Sequence, residues 1–117
     1  MSEIQKIGYY QDSINFILDI QASDGSISWE ENKKFDPWDH IESAMALTVA
    51  GETEAAMKAF KWMQLNQEKE GGWFSEYKSG QPSKKRMETN FAAYICVGIW
   101  HFYLVTKDKG FLEDYYP

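Results

Sequence analysis

The stretch that decides the fold is KAFKWMQLNQEKEGGW, residues 58–73. Its first half places Ala59, Phe60 and Met63 on one face of a helix, because residues three and four apart share a helical face. Its second half, which contains Gly71-Gly72, interrupts that periodicity and predicts a turn. The stretch therefore predicts an amphipathic helix that ends in a glycine-containing turn.

Apolar spacing predicts further helices on both sides of this stretch. The clearest start is at Asp36, a favourable N-cap, followed by Pro37 at the first helical position. The last long helix is almost wholly apolar, which predicts burial on every side. The predicted helices run from about Glu3 to Gln21, Asp36 to Ala50, Thr53 to Gln67 and Glu88 to Val105, with a short tail helix at 110–116 and a loop at 68–86. Because no stretch alternates like a β-strand, we expect an all-α domain.

Shifting the sequence by 46 residues aligns two polar patterns in the same order, which predicts an internal repeat. The aligned residues are Gln21 with Gln67, Gly25 with Gly71, and Ile41-Glu42-Ser43 with Met87-Glu88-Thr89. We therefore expect one domain of two antiparallel helix hairpins, at about 3–50 and 53–105, with the more apolar helices inside. Because each hairpin leaves an apolar side uncovered, neighbouring hairpins have to stack.

The second copy of the repeat resembles the QW repeat of squalene and oxidosqualene cyclases. That motif has a basic, a small, an aromatic and an aliphatic residue, followed by Gln-x-x-x-Gly-x-Trp; residues 58–73 depart from it only at Met63. The resemblance implies an (α/α) toroid of the terpenoid-cyclase and prenyltransferase-like type. It also implies a structural role for the repeat residues, in which Gln67 bonds the end of a neighbouring helix under Trp73. These repeat residues are Gln21, Gly25, Gln67, Gly71 and Trp73.

Four helices and a short fifth are too few to close a toroid. The resemblance therefore implies an incomplete one, and we expect either the N-terminal portion of a longer protein or self-association of this chain. In both cases other hairpins cover the open helix faces, and the chain alone is expected to be inactive.

Composition excludes several other classes of function. The chain has 117 residues, with 12 Lys+Arg against 18 Asp+Glu, and this acidic balance disfavours a nucleic-acid partner. The single cysteine, Cys96, excludes an internal disulfide and a multi-cysteine zinc site, and we expect no metal or cofactor. The longest apolar run, Phe91–Val105, is shorter than the roughly 20 residues that span a bilayer. Without a signal peptide, a cytoplasmic location is expected.

The candidate site lies where the chain enters the two inner helices, at one rim of the expected cavity. Carboxylates there could act as acids, bases or polar contacts to a substrate, and a histidine among them could titrate near neutral pH. Capping explains the carboxylates equally well, because helix N-termini stabilise negative charge. The catalytic candidates are Asp36, Asp39, His40, Glu42 and Glu88, and the substrate-binding candidates are Trp38, Asn90 and Tyr94.

Three functions stay open at this point. The resemblance implies an enzyme that acts on an isoprenoid substrate in an aromatic-lined cavity, although the acidic Asp-x-Asp-Asp motif of the cyclases is absent. The first alternative is a six-hairpin glycosidase-like domain, whose paired rim carboxylates act on a sugar. The second is a non-catalytic helical repeat that serves protein assembly. The expected partner is accordingly a hydrophobic small molecule, a sugar or a further protein surface.

Overall fold

The computed structural model describes residues 10–30 and 33–115, and within these ranges helices alternate with three short strands. The elements in chain order are α1 (Gln11–Ile20), β1 (Lys34–Phe35), α2 (Pro37–Val49), α3 (Thr53–Leu65), β2 (Phe74–Lys78), β3 (Gln81–Met87), α4 (Thr89–Thr106) and α5 (Lys109–Asp114). The start of the first predicted helix and residue 116 of the predicted tail helix lie outside the described residues. The division into hairpins at about 3–50 and 53–105 stays a prediction.

The prediction of an all-α domain is wrong, because β1, β2 and β3 form an antiparallel sheet in that order. Strands β2 and β3 occupy the region predicted to be a loop. Lys78 pairs with Gln81, and the two residues between them, Ser79 and Gly80, both have positive φ, as a two-residue hairpin turn requires. Strand β1 completes the sheet by pairing Phe35 with Tyr77.

The sheet was not predicted from the sequence because it is stabilised by contacts between residues that are distant in sequence. Strand β3 is largely exposed and contains Pro82 and three consecutive basic residues, so it has no alternating apolar pattern. The apolar side of the sheet consists instead of Phe35 and Tyr77, whose rings stack at 5.5 Å between centroids. Trp62 of α3 packs edge-on against both rings, at 4.9 and 4.8 Å, and joins the sheet to the helices.

Helix α2 lies at the centre of the core and packs against both α3 and α4. Gly98 makes the approach of α4 possible, because a Cβ at this position would lie 2.7 Å from Ile41 and 2.8 Å from Phe60. Phe60 also contacts the rings of Phe102 and Phe111, which hold α4 and α5 against α3. These contacts fix the position of the helix entrances that carry the candidate site.

Helix α4 was expected to be buried on every side, and the structure corrects this. Its buried residues, Ile95, Gly98 and Phe102, lie on one face only. Helices α2 and α3 supply one covering layer, so the opposite face of α4 keeps large apolar side chains in contact with solvent. No helix within the described ranges is both long enough and apolar enough to cross a membrane.

The two turns aligned by the 46-residue shift have the same hydrogen bonds. In the first, Gly25 N–H donates to Ala22 O and Gln21 Nε2 donates to Gly25 O. In the second, Gly71 N–H donates to Glu68 O and Gln67 Nε2 donates to Gly71 O, with φ of 96° and 94° at the two glycines. Positive φ explains the glycine in each turn.

The bond to a neighbouring helix, which the resemblance assigned to Gln67, is made in this structure by Gln21. Its Nε2 also donates to Ala55 O in the first turn of α3, at 2.9 Å. Trp73 packs over the end of its own α3 and donates from Nε1 to Met63 O at 2.8 Å. The Gly25 turn is therefore bonded to the later helix α3, whereas the bonds of the Gly71 turn stay within the turn and the end of the helix before it.

Candidate functional site

The first turn of α2 is organised by Asp36, whose Oδ1 accepts the N–H of Asp39 at 2.7 Å. This N-cap bond and Pro37 at the first helical position begin the helix at a defined residue. Burial raises the pKa of the Asp36 carboxyl; the Asp39 N–H bond opposes this rise, while the nearby Asp39 carboxylate adds to it. As expected of a capping acid, Asp36 fixes the geometry of the helix entrance.

Trp38, Glu42 and Tyr94 form one hydrogen-bonded cluster on the outer side of α2. The rings of Trp38 and Tyr94 stack at 3.8 Å between centroids, with 6° between their planes. Trp38 Nε1 donates to Glu42 Oε1 at 2.7 Å, and the Tyr94 hydroxyl donates to the same oxygen at 3.3 Å. Burial and the Glu42 charge raise the pKa of Tyr94, which keeps its hydroxyl protonated as a donor. The cluster therefore fixes the orientation of the Glu42 carboxylate.

A groove of about 420 Å³ lies between α1 and α2, and Asp39 and Glu42 stand on its edge. Phe16 and Trp29 are 54% and 41% exposed and form aromatic walls. The remaining lining is mostly apolar and consists of Ile17, Ile20, Ile27, Ser28, Ser43 and Ala46. This combination of exposed aromatic rings, an apolar floor and two carboxylates suits a ligand with both apolar faces and hydroxyl groups.

The sequence-based candidates did not include Phe16 or Trp29. Phe16 is one of several apolar residues of a predicted helix, and a tryptophan outside the predicted helices was the one available signal for Trp29. Their position beside Asp39 follows from the packing of α1 on α2, which no local pattern encodes.

His40 is fully buried and both of its ring nitrogens are hydrogen-bonded within the core. Nδ1 accepts the N–H of Ile27 at 3.1 Å, which places the ring proton on Nε2, and Nε2 lies 2.8 Å from Ala59 O. Burial lowers the pKa of His40 to about 4, so the ring is neutral near pH 7. His40 connects the loop after α1, helix α2 and helix α3, and it has no free nitrogen for a substrate.

The second helix entrance carries Glu88 and Asn90. Glu88 is half-buried, and its Oε1 accepts a bond from the Arg86 guanidinium at 2.8 Å. Asn90 is exposed in the first turn of α4, one turn before Tyr94. Tyr94 of this helix therefore contacts Glu42. Glu88 and Asn90 do not line the groove. Across residues 10–30 and 33–115, no three His, Cys, Asp or Glu side chains form a group that could hold a metal ion.

Comparison with known proteins connects this chain to a sugar-cleaving enzyme. No family model matches it. It is 42% identical over 101 residues to an MMP endo-(1,4)-3-O-methyl-α-D-mannosidase of Mycolicibacterium hassiacum, a match that covers 86% of this chain. The matched region spans 28% of the mannosidase.

The resemblance to terpenoid cyclases and prenyltransferases is therefore wrong, as is the isoprenoid function that it implied. The similar protein is a mannosidase, and the sheet made by residues 74–87 with Lys34–Phe35 contradicts an all-α toroid of that type. The Gln-x-x-x-Gly motif does not identify a family. Its hydrogen bonds only close a local turn after a helix, and such a turn can occur in unrelated proteins. The findings favour the sugar-acting alternative.

Proposed function

We propose that this chain forms part of a glycoside hydrolase and contributes carboxylates and aromatic side chains to its sugar-binding groove. The observation that carries the proposal is the placement of Asp39 and Glu42 beside exposed Phe16 and Trp29, in a chain similar to a mannosidase. Aromatic rings bind the less polar faces of sugars, while carboxylates accept hydrogen bonds from their hydroxyl groups.

Glu42 is the best-positioned catalytic carboxylate in this groove. Trp38 and Tyr94 hold one of its oxygens, which fixes the side chain before substrate arrives. The other oxygen has no hydrogen-bond partner among the described residues and can face a substrate. Asp39, three residues earlier on α2, is exposed on the same groove and serves as an acceptor for sugar hydroxyls.

A single helix supplies only part of the machinery for glycoside cleavage. The two carboxylates of a glycosidase flank the scissile bond, about 5–10 Å apart. Asp39 and Glu42 project from one helix face, so they approach the sugar from one side. The second catalytic carboxylate therefore comes from another element, which agrees with a match to only 28% of the mannosidase. The isolated chain is accordingly expected to be inactive. Glu88, with Asn90 nearby, remains a candidate from this chain.

The lining of the same groove supports a proposal for the substrate class. Ile17, Ile20 and Ile27 give it an apolar floor that would accept methyl groups better than hydroxyls. The similar mannosidase is named for 3-O-methyl-α-D-mannose units joined 1,4. We therefore propose an O-methylated mannose oligosaccharide as the ligand.

The test uses a chimera in which the matched region of the M. hassiacum mannosidase is replaced by this chain. We expect the chimera to hydrolyse the methylated mannan, and Glu42→Gln to reduce kcat by a factor of about 10³ with little change in KM. Glu54→Gln is the matched control, since Glu54 is an exposed carboxylate of α3 that does not line the groove. Full activity of the Glu42→Gln chimera would contradict the proposed role of Glu42.

A further inference from the structure

Helix α4 presents an uncovered apolar stripe on the side opposite α2. Ala93, Val97, Trp100 and Leu104 are exposed and follow one another at spacings of four, three and four residues, so they share one face. Trp100 alone is 52% exposed, and α4 contains no charged residue. A contiguous apolar surface of this kind marks a place where another element packs.

A groove of about 390 Å³ adjoins this helix and runs from the Gly71 turn to the end of α5. Gln67 and Trp73 line it on one side, and Cys96 and Ile99 of α4 line it on the other. Asp114 and Tyr115 stand at its end, so α5 leads into the groove.

The packing of the Gly25 turn on α3 indicates which kind of element fills such a groove. Its turn packs directly on the next outer helix: a Cβ on Gly25 would lie 2.2 Å from Lys58 O, and Gln21 bonds Ala55 O. At the equivalent Gly71, a Cβ would meet only Nε2 of Gln67, at 3.8 Å. The second turn thus has the same shape as the first, but no helix lies against it among the described residues.

Helix α5 stands beside the Gly71 turn. It follows α4 as α3 follows α2, and Asp114 and Tyr115 at its end line the groove together with Gly71. The matched region makes up 28% of the related mannosidase, so a protein of that size has ample sequence for further helices.

We propose that the groove and the α4 stripe are covered by a third helix hairpin belonging to a longer polypeptide. Its outer helix extends α5 along the Gly71 turn, and its inner helix packs on Val97, Trp100 and Leu104. This arrangement continues the interface that α4 already makes with α2, shifted by one hairpin. It also supplies Gln67 with the main-chain acceptor that Ala55 supplies to Gln21.

The experiment compares Cys96, the only cysteine of the chain, in two settings. The first is the isolated chain, and the second is the mannosidase chimera described above, in which the rest of the mannosidase sequence is present. Maleimide labelling is followed by mass spectrometry of the peptide that contains Cys96. We expect labelling to be at least tenfold slower in the chimera, because the third hairpin covers the groove.

Substitutions on the stripe give a second readout that does not depend on catalytic activity. We expect Val97→Gln combined with Trp100→Gln to leave the denaturation midpoint of the isolated chain almost unchanged and to lower that of the chimera clearly. Leu65→Gln is the matched control, since Leu65 is 71% exposed at the end of α3 and should be neutral in both.

Three results would overturn the proposal. The first is equal labelling of Cys96 in both settings. The second is protection of Cys96 in the isolated chain that grows with protein concentration and disappears on substitution of Trp100, which would identify a second copy as the occupant. The third is a chimera that does not fold although the isolated chain unfolds cooperatively. An inactive chimera with a protected Cys96 supports the third hairpin and counts only against the proposed function.

Discussion

The indole N–H of Trp38 lies 2.7 Å from Oε1 of Glu42, one helical turn further along α2. The same indole stacks on Tyr94, whose hydroxyl also reaches that oxygen. An aromatic pair and a carboxylate thus form one preorganised unit at the mouth of a groove. Because the rings restrict the carboxylate to one orientation, Glu42 differs from an ordinary flexible surface acid, and this difference can be tested.

Trp38→Phe keeps an aromatic ring for stacking but removes the hydrogen bond to Glu42. A hydrogen bond to a charged group contributes about 1.5–3 kcal/mol, less where solvent competes, so we expect roughly a tenfold loss of kcat in the chimera. Tyr94→Phe is the comparison, and its longer 3.3 Å bond predicts a smaller loss. Equal kcat values for both variants and the parent chimera would show that the orientation of Glu42 does not matter.

His40→Ala should destabilise the isolated chain strongly. It leaves the buried N–H of Ile27 without its acceptor, at about 1–3 kcal/mol, removes the bond to the Ala59 carbonyl and opens a cavity in the core. We expect a loss of about 3–5 kcal/mol in the free energy of unfolding, measured by urea denaturation. His101→Ala is the control, because Nδ1 of that ring has no hydrogen-bond partner among the described residues. A smaller loss for His40 than for His101 would disprove the structural role of His40.

The stability of the chain should fall in acid through His40. Its pKa in the folded state is about 4, below the ordinary 6.5, so the unfolded chain binds the proton first. The stabilisation is complete above pH 6.5 and is lost as pH falls from 6.5 to 4, by about 3 kcal/mol in total. The check is the difference in unfolding free energy between the parent and His40→Ala as a function of pH. A difference that stays constant over this range would refute the prediction.

The two turns should differ in their tolerance of a side chain. Gly25→Ala puts a Cβ into the main chain of α3 and should destabilise the isolated chain by more than about 3 kcal/mol. Gly71→Ala has nearly the same φ but open space, so it should cost only the strain of positive φ, about 1–2 kcal/mol. Urea denaturation of both variants measures the contrast. Equal losses would mean that the second turn is already packed against a neighbour.

Much of the helical framework can be predicted from local pattern. The start of α2 was correctly placed at Asp36-Pro37, because capping and the fixed φ of proline act within a few residues. The two glycine turns were recognised for the same reason. The sheet was missed because Phe35 and Tyr77, its two buried apolar residues, are paired across a long sequence separation, and β3 by itself resembles a polar loop.

The candidate site divides in the same way. Residues at the helix entrance, such as Asp39 and Glu42, can be identified from sequence because they follow directly from where α2 begins. Sequence could not separate His40 from them, since adjacent helix positions point in different directions, and only packing decided that His40 faces the core. The aromatic walls, Phe16 and Trp29, belong to the groove only because α1 folds back on α2.

The sequence by itself determined the helices, the Asp36 cap of α2 and the two equivalent glycine turns, because these depend on interactions between residues close along the chain. Only the tertiary structure decided that residues 74–87 form a sheet with Phe35, that Tyr94 meets Glu42, and that one face of α4 stays uncovered. Each of these features depends on which surfaces, distant in sequence, pack against each other and exclude water. That choice is made by the free energy of the whole packed chain, not by any local segment.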